Sequence, residues 1–574
     1  MNLRSLLLLP ALLSVAPAQS PSKVLELIPT QAEAVAYYPK PKRLEAKWAA
    51  LAGVFGEKDG FLGLRAETGI DPSKAAPGPI LKVSLRKEAG GESWVWLVPS
   101  AQPKDLVKGL KPKADGKGWT WNAPTPKKAP KVPTASILHA ASKQGFLVVA
   151  NNAGALATVL KPQGSLAAEL APFAAWMERH DACLVATKAG VEQAAKEATT
   201  SVKDKPANPE AGAPKPKPPK RLQAKFEGWM ELAKTSVHHV LAGLDLTDDG
   251  GLRFEARALI SKGSALGREL ESLAPVGAHP LSGISSAGFA LALGGEWSSL
   301  FDVQAAVFED LDSAGKVQEA TKVRLQKALE VQNQQIRSWG MALAAPRPGQ
   351  PMLSGFTAMI RVADSRAYLA AAEEAAKAQG ALFDELGMAG AVTFTKDPIA
   401  GVPSCSVSTR IAGKPEDPST AQISQGLAMA FGGDAVLAST AALDAHRMLV
   451  VMGGPEQLKS RLEEARKAPD HLPASIAAVE PDLGAGHRFA LYLDLGGLRE
   501  VAQLAAGMFM GPAGKPLPAV PAVPAVGLTL SLDPTAIELR GSARGETLRA
   551  AATFFKAVKA LLPADKKADG KPRT

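Results

Sequence analysis

The chain has 574 residues, of which 46% are hydrophobic and 21% charged, and a formal charge of +10. That is length for several domains of roughly 150 residues and apolar content for sizeable cores, which excludes a disordered or fibrous chain. Two cysteines, Cys183 and Cys405, are too few for a disulfide-stapled scaffold or a cysteine-based metal site, both of which need paired spacings.

Residues 1–20, MNLRSLLLLPALLSVAPAQS, carry one positive charge at Arg4, an apolar run and then Ala16-Pro17-Ala18. This is the pattern of an export signal, with cleavage expected after Ala18. The run is shorter than the roughly 20 residues of a bilayer-spanning helix, and Pro10 interrupts it. The greasiest later stretch, 426–451, is broken by Asp434, Asp444, His446 and Arg447, so no transmembrane span is expected. The expected destination is the periplasm or the extracellular space. There the two cysteines are free to pair, although two separately buried thiols are the simpler expectation.

Further along, SWVWLVPS (93–100) reads as a strand that places Trp94 and Trp96 on one face, flanked by Val and Leu as a core strand would be. Between 103 and 135, eight lysines against two aspartates leave +6; between 198 and 225, seven bases against two acids leave +5. Together these segments carry the whole surplus. Both are rich in proline, a composition for extended, solvated loops rather than for a basic groove with stacking aromatics. Specific nucleic-acid binding is therefore not expected, whereas attraction to an anionic envelope polymer is. Within the first loop, KGWTWNAP puts Trp119 and Trp121 on one strand face, with Lys127 and Lys128 close behind. These four are the candidate residues for ligand or partner contact.

FLVVANNAGALATVLK (146–161) reads as strand, tight turn and helix, with Asn152 suited to the helix cap. Nearly the same unit returns at 448–462, MLVVMGGPEQLKSRL, with Gly454 at the cap. Four more segments recur in the same order: 34–51 with 288–307, 93–110 with 355–372, 182–195 with 490–502, and 241–259 with 528–546. The economical reading is a duplication into two lobes, 19–280 and 281–562, followed by a flexible tail at 563–574. The second lobe carries an insertion at 303–340, in which Leu325, Leu329 and Ile336 line one helical face. Alternating strands joined by hairpins give the expected fold class: α+β, two duplicated lobes of mostly antiparallel sheet with helices packed on them.

Chemistry is harder to find. Eight histidines are present without the spacing that sets two ligands on one helical face. His238 and His239 are adjacent in a strand, so their side chains should diverge. His446 and His487 have no evident counterparts in the first half. DLTDDGG (245–251) lacks the closing carboxylate of a calcium loop, since Ala256 stands at its twelfth position, and reads instead as a hairpin turn. No nucleophile elbow or phosphate loop occurs, so no catalytic, cofactor or metal residue is assigned and no cofactor is expected. LIPTQAEAVAYYPKPKRLEAKWAAL (residues 27–51), together with the two strand-turn-helix units, resembles a poorly characterised family of exported bacterial proteins with repeated α+β modules, a domain of unknown function. The resemblance implies an envelope location and no assigned activity. The functional expectation is a non-enzymatic envelope protein that binds a partner or acts as a scaffold. The alternatives are a periplasmic carrier of an apolar ligand or lipid and, behind it, a hydrolase with dispersed carboxylates.

Overall fold

A computed structural model describes residues 21–55, 63–88, 91–124, 137–203, 227–228, 231–273, 277–284, 289–296, 317–346, 350–387, 390–410, 426–467, 471–510 and 516–561. Residues 1–20, where the sequence leads one to expect an export signal, Lys127, Lys128, most of the second Lys/Pro loop, the start of the 303–340 insertion and residues 562–574 lie outside them. The chain divides into two compact units: residues 1–206, 230–271 and 533–538, and residues 207–229, 272–532 and 539–574. Both are α+β, and every described strand pairing within them is antiparallel. Among the described residues no helix is long and apolar enough to cross a membrane.

In the first unit the strands are β1 (Ala32–Tyr38), β2 (Ile80–Glu88), β3 (Gly91–Pro99), β4 (Lys113–Asp115), β5 (Gly118–Asn122), β6 (Ile137–Lys143), β7 (Phe146–Ala150), β8 (Ala182–Ala186), β9 (Val237–Leu246) and β10 (Leu252–Ile260). They pair in the order 4-5-6-7-3-2-1-8-9-10. β7, FLVVA, is apolar throughout and buried at every position because it lies mid-sheet with both faces covered. β9 instead alternates buried and half-buried residues through Leu244, the mark of a sheet with one dry face. That face packs Val35, Tyr37, Val83, Val95, Val148, Val185 and Leu241 against Val159, Leu170 and Met177 of the overlying helices.

The second unit contains β11 (Leu291–Glu296), β12 (Ile336–Leu343), β13 (Phe356–Val362), β14 (Val392–Thr395), β15 (Ser404–Arg410), β16 (Ala435–Ala442), β17 (Arg447–Met452), β18 (Phe489–Leu493) and, apart from residues 533–538, β19 (Val526–Asp533) and β20 (Ala536–Ala543). Their order is 14-15-16-17-13-12-11-18-19-20, the order of the first unit with ten added to each label. Register agrees as well as order. Ala182 faces Leu244 between β8 and β9, and Phe489 faces Leu530 between β18 and β19, so 182 stands to 244 as 489 stands to 530.

Local devices recur too. Thr187 and Asp494 each follow the strand and accept a backbone N–H three residues on through their side chains, from Gly190 and Gly497. A Cβ at Gly190 would lie 2.0 Å from the Glu33 carbonyl, and one at Gly497 2.0 Å from the Phe289 carbonyl, so both helices can start this close to the neighbouring strand only as glycine. Asn152 caps its helix as expected, accepting from Ala155 N at 2.7 Å.

The inserted helix runs from Glu319 to Gln335 and stops where β12 begins. Ile336, expected on that helix, is the first residue of the strand. Leu325 packs with Ala378 and Leu382 of helix Ser365–Glu385, with Leu329 beside them, so the insertion lies on its own unit.

Candidate functional site

Three elements of the second unit bring four polar side chains together. The first is the turn at 279–284, which lies across the sheet where Gly294 of β11 faces Gly340 of β12. A Cβ at Gly340 would sit 2.3 Å from the Pro280 carbonyl oxygen, and one at Gly294 would sit 3.0 Å from the Pro280 Cβ. The glycine pair is thus a flat seat for this turn, and the buried Leu281 and Ile284 fasten it to the core. The turn carries His279. The second element, helix Ala474–Leu483, contributes Glu480 above the buried Ile476, Val479 and Leu483, and ends at Gly484, whose φ of 84° suits glycine. The third, β18 with the residues before it, contributes His487 and Tyr492.

Glu480 is the hub. Its Oε1 accepts from His487 Nε2 at 2.8 Å and its Oε2 from the Tyr492 hydroxyl at 2.5 Å. His279 Nε2 lies 3.6 Å from Oε1 and 3.3 Å from the Tyr492 oxygen, and the two imidazole rings stand at 82° with centroids 5.2 Å apart. The His279 Nδ1 accepts the Leu281 N–H at 3.1 Å, which puts the proton of a neutral ring on Nε2. Burial pushes His279 down to about 4; the charge of Glu480 opposes this, while His487 and Arg361 add to it. Burial pushes the Glu480 carboxyl up, but hydrogen bonds from His487 and Tyr492 outweigh it and hold the group below its ordinary range. Burial and the Glu480 charge drive the Tyr492 phenol far above its ordinary value. At neutral pH the centre is therefore one carboxylate, a neutral His279 and a neutral phenol, together with His487. Its donor atoms on His279, Glu480 and His487 all lie within 4.8 Å of one another.

The same place in the first unit is built differently. His180 precedes β8 by two residues, as His487 precedes β18. It is buried, meets Trp176 edge to face at 4.5 Å, and covers Gly243, where a Cβ would come within 2.6 Å of the ring. Its Nδ1 is 2.8 Å from Asp245 Oδ2, and its buried Nε2, 3.9 Å from Glu255 Oε2, has no hydrogen-bond partner among the described residues. Asp245 also accepts from Asp181 N at 3.0 Å, and Lys47 closes the network on Asp181 at 2.8 Å. His487 therefore does have a first-half counterpart, contrary to the sequence expectation.

A second feature of the second unit is a cavity of 360 Å³ between helix Ser365–Glu385 and the β14–β15 connection. Leu369, Phe394, Pro398, Val402, Pro403 and Cys405 form its largely apolar lining, with Lys396 at the rim. The wall is a tight turn in which Ile399 and Val402 bridge across Ala400 and Gly401, both with positive φ (51° and 76°). Glycine takes that backbone without strain; Ala400 does not. The Lys396 ammonium is already 3.2 Å from Glu373, so the rim holds a neutralised cation. Burial pushes the Cys405 thiol at the floor up to about 11.

The candidate contact residues fall as follows. Trp121 is buried and its indole N–H donates to the Thr68 carbonyl at 2.9 Å, so it is a core residue and no stacking platform; Trp119 is half-buried. Trp96 is buried and bonded to Glu67 at 2.9 Å, while Trp94 is only half-buried, with Lys82 Nζ 5.5 Å from both rings. Both cysteines are buried and free. His238 and His239 do not diverge: their Nδ1 atoms are 2.7 Å apart, and His239 Nε2 is 2.7 Å from Glu169. The register between β9 and β10 slips here, Leu259 facing His239 and Ile260 facing Val237, so His238 is a bulge residue with no partner in the β10 ladder. The DDGG turn is as expected, closed by Thr247 N to the Gly251 carbonyl at 2.9 Å, while Asp245 Oδ2 lies 2.8 Å from His180 Nδ1.

No family model, curated protein or solved structure matches this chain. The likeness to an exported bacterial family stands on residues 27–51 and the repeated strand-turn-helix units alone.

Proposed function

We propose that the chain is an exported, non-enzymatic bacterial envelope protein, built by duplication of one α+β module, that carries a small apolar ligand in its second unit. The duplication is supported by the identical strand order, by the shared register of β8–β9 and β18–β19, and by the matched pairs Thr187/Asp494, Gly190/Gly497 and His180/His487. Apolar patterns recur easily by chance; a cap, a contact glycine and a buried histidine in one register do not.

The observation that carries the binding reading is the 360 Å³ cavity under the Ile399–Val402 turn. It falls within the usual range for small-molecule sites, roughly 300–1,000 Å³, and its apolar lining suits such a ligand. Because Lys396 is already neutralised by Glu373, the ligand class is neutral and apolar rather than anionic. This favours the carrier reading over a partner scaffold. The Lys/Pro loops add weak attraction to anionic envelope polymer, which keeps the carrier near the surface it serves. The test is saturable binding of a neutral naphthylamine fluorophore, with Val402→Trp and Phe394→Trp narrowing the cavity. Equal binding by wild type and both variants would place the probe elsewhere and refute the reading.

A further inference from the structure

We propose that His279, Glu480 and His487 form a binding site for a divalent transition cation of the zinc class, with the Tyr492 oxygen at its edge. Two imidazoles and one carboxylate are the nitrogen and oxygen donors that zinc takes, and three protein ligands leave a position open. A tetrahedral site with bonds of about 2.0–2.2 Å separates its donors by about 3.3 Å. The present separations to Glu480 Oε1, 2.8 Å from His487 and 3.6 Å from His279, bracket that value.

Each donor is held by its own backbone device: His279 by the turn seated on Gly294 and Gly340, Glu480 by its helix, and His487 by the start of β18. Protons now occupy the space between donors. On binding, the His279 proton moves from Nε2 to Nδ1, His487 presents its Nε2 lone pair in place of the N–H it now directs at Glu480, and Glu480 is already ionised. The exchange has an identifiable cost, because a proton on His279 Nδ1 displaces the Leu281 N–H it now accepts. Arg361, which acts electrostatically on His279, also opposes a cation. Against these stand the two-donor attraction of the rings and the anionic Glu480. Among the described residues the first unit has no equivalent: there His180 meets Asp245 without a second histidine.

The experiment is zinc(II) titration of chelator-stripped full-length protein by calorimetry, with cobalt(II) as a visible-absorption probe of coordination. The expected result is one zinc per chain, a tetrahedral cobalt spectrum, and an affinity about 100-fold lower or worse in His279→Gln and Glu480→Gln. The Leu281 amide should also exchange faster with solvent when zinc is bound. Folded wild-type protein that takes up no zinc overturns the proposal, whatever the variants do. So does one equivalent bound equally well by wild type and both variants, since the ion then lies elsewhere. The apolar cavity shares none of these residues, so failure of either proposal leaves the other standing.

Discussion

Gly340→Ala tests whether the turn at 279–284 rests on the sheet through a glycine seat. The added Cβ would stand 2.3 Å from the Pro280 carbonyl oxygen, 2.9 Å from its carbon and 3.0 Å from Leu281 Cδ2. Ordinary heavy-atom contacts of roughly 3.5 Å demand a shift of about 1 Å, and the nearest atoms are backbone, so no rotamer change relieves it. The shifted segment carries Leu281, fully buried, and Ile284, 4% exposed. Overpacking of this kind costs about 1–3 kcal/mol, and misplacing His279 from Tyr492 adds roughly 1 kcal/mol. Destabilisation of about 2–4 kcal/mol is expected. Gly53→Ala is the control: it lies within helix Pro41–Phe55 with nothing within 4 Å of the new Cβ, and should stabilise by roughly 0.5–1 kcal/mol. Equilibrium urea unfolding followed by near-ultraviolet circular dichroism reads both. If Gly340→Ala proves as stable as wild type, the seat is not there and the fixed geometry of the His279 centre loses its basis.

Asp245→Asn should cost about 1–2 kcal/mol at neutral pH, the value of a charge-assisted bond discounted for a side chain that is one-third exposed. Burial alone would raise the Asp245 carboxyl, yet His180 and the Asp181 N–H hold it below 3.8. Its contribution is therefore complete above 3.8 and fades as pH falls through the folded-state value, so wild type and variant should converge in acid; a gap that widens there contradicts the assignment. Native protein at pH 8 should resist a thiol reagent, because burial raises both thiols and Cys405 stands at about 11. Unfolded without reductant it should titrate two thiols, and fewer would mean a bridge.

Local structure was legible in the sequence wherever local chemistry decided it. Asn152 announced a helix cap and DDGG a hairpin turn, and alternation marked β9, because each depends on a few consecutive residues. The closeness of His238 to His239 is not legible because a bulge removes His238 from the ladder, and no composition signal marks a one-residue slip. Trp121 looked exposed beside its lysines, yet its indole reaches the carbonyl of Thr68, far away in sequence.

The His279 centre was beyond local reading altogether, since its first member stands 213 residues before Tyr492. One signal was nonetheless present. The 307-residue shift that aligns Leu184 with Leu491 also aligns His180 with His487, a polar match that the apolar framework alone does not require. The glycines that admit the turn, Gly294 and Gly340, carry no signature until the pairing of β11 with β12 puts them face to face.

The most direct measurement of the carrier reading is calorimetric titration of the neutral naphthylamine fluorophore into full-length wild type and Val402→Trp. Saturable binding of one molecule per chain is predicted, with a negative heat-capacity change from apolar burial and about tenfold or greater weakening in the variant. A folded wild type that shows no saturable heat, or a variant that binds equally well, would contradict the assignment of the cavity beneath Ile399–Val402 as the binding site.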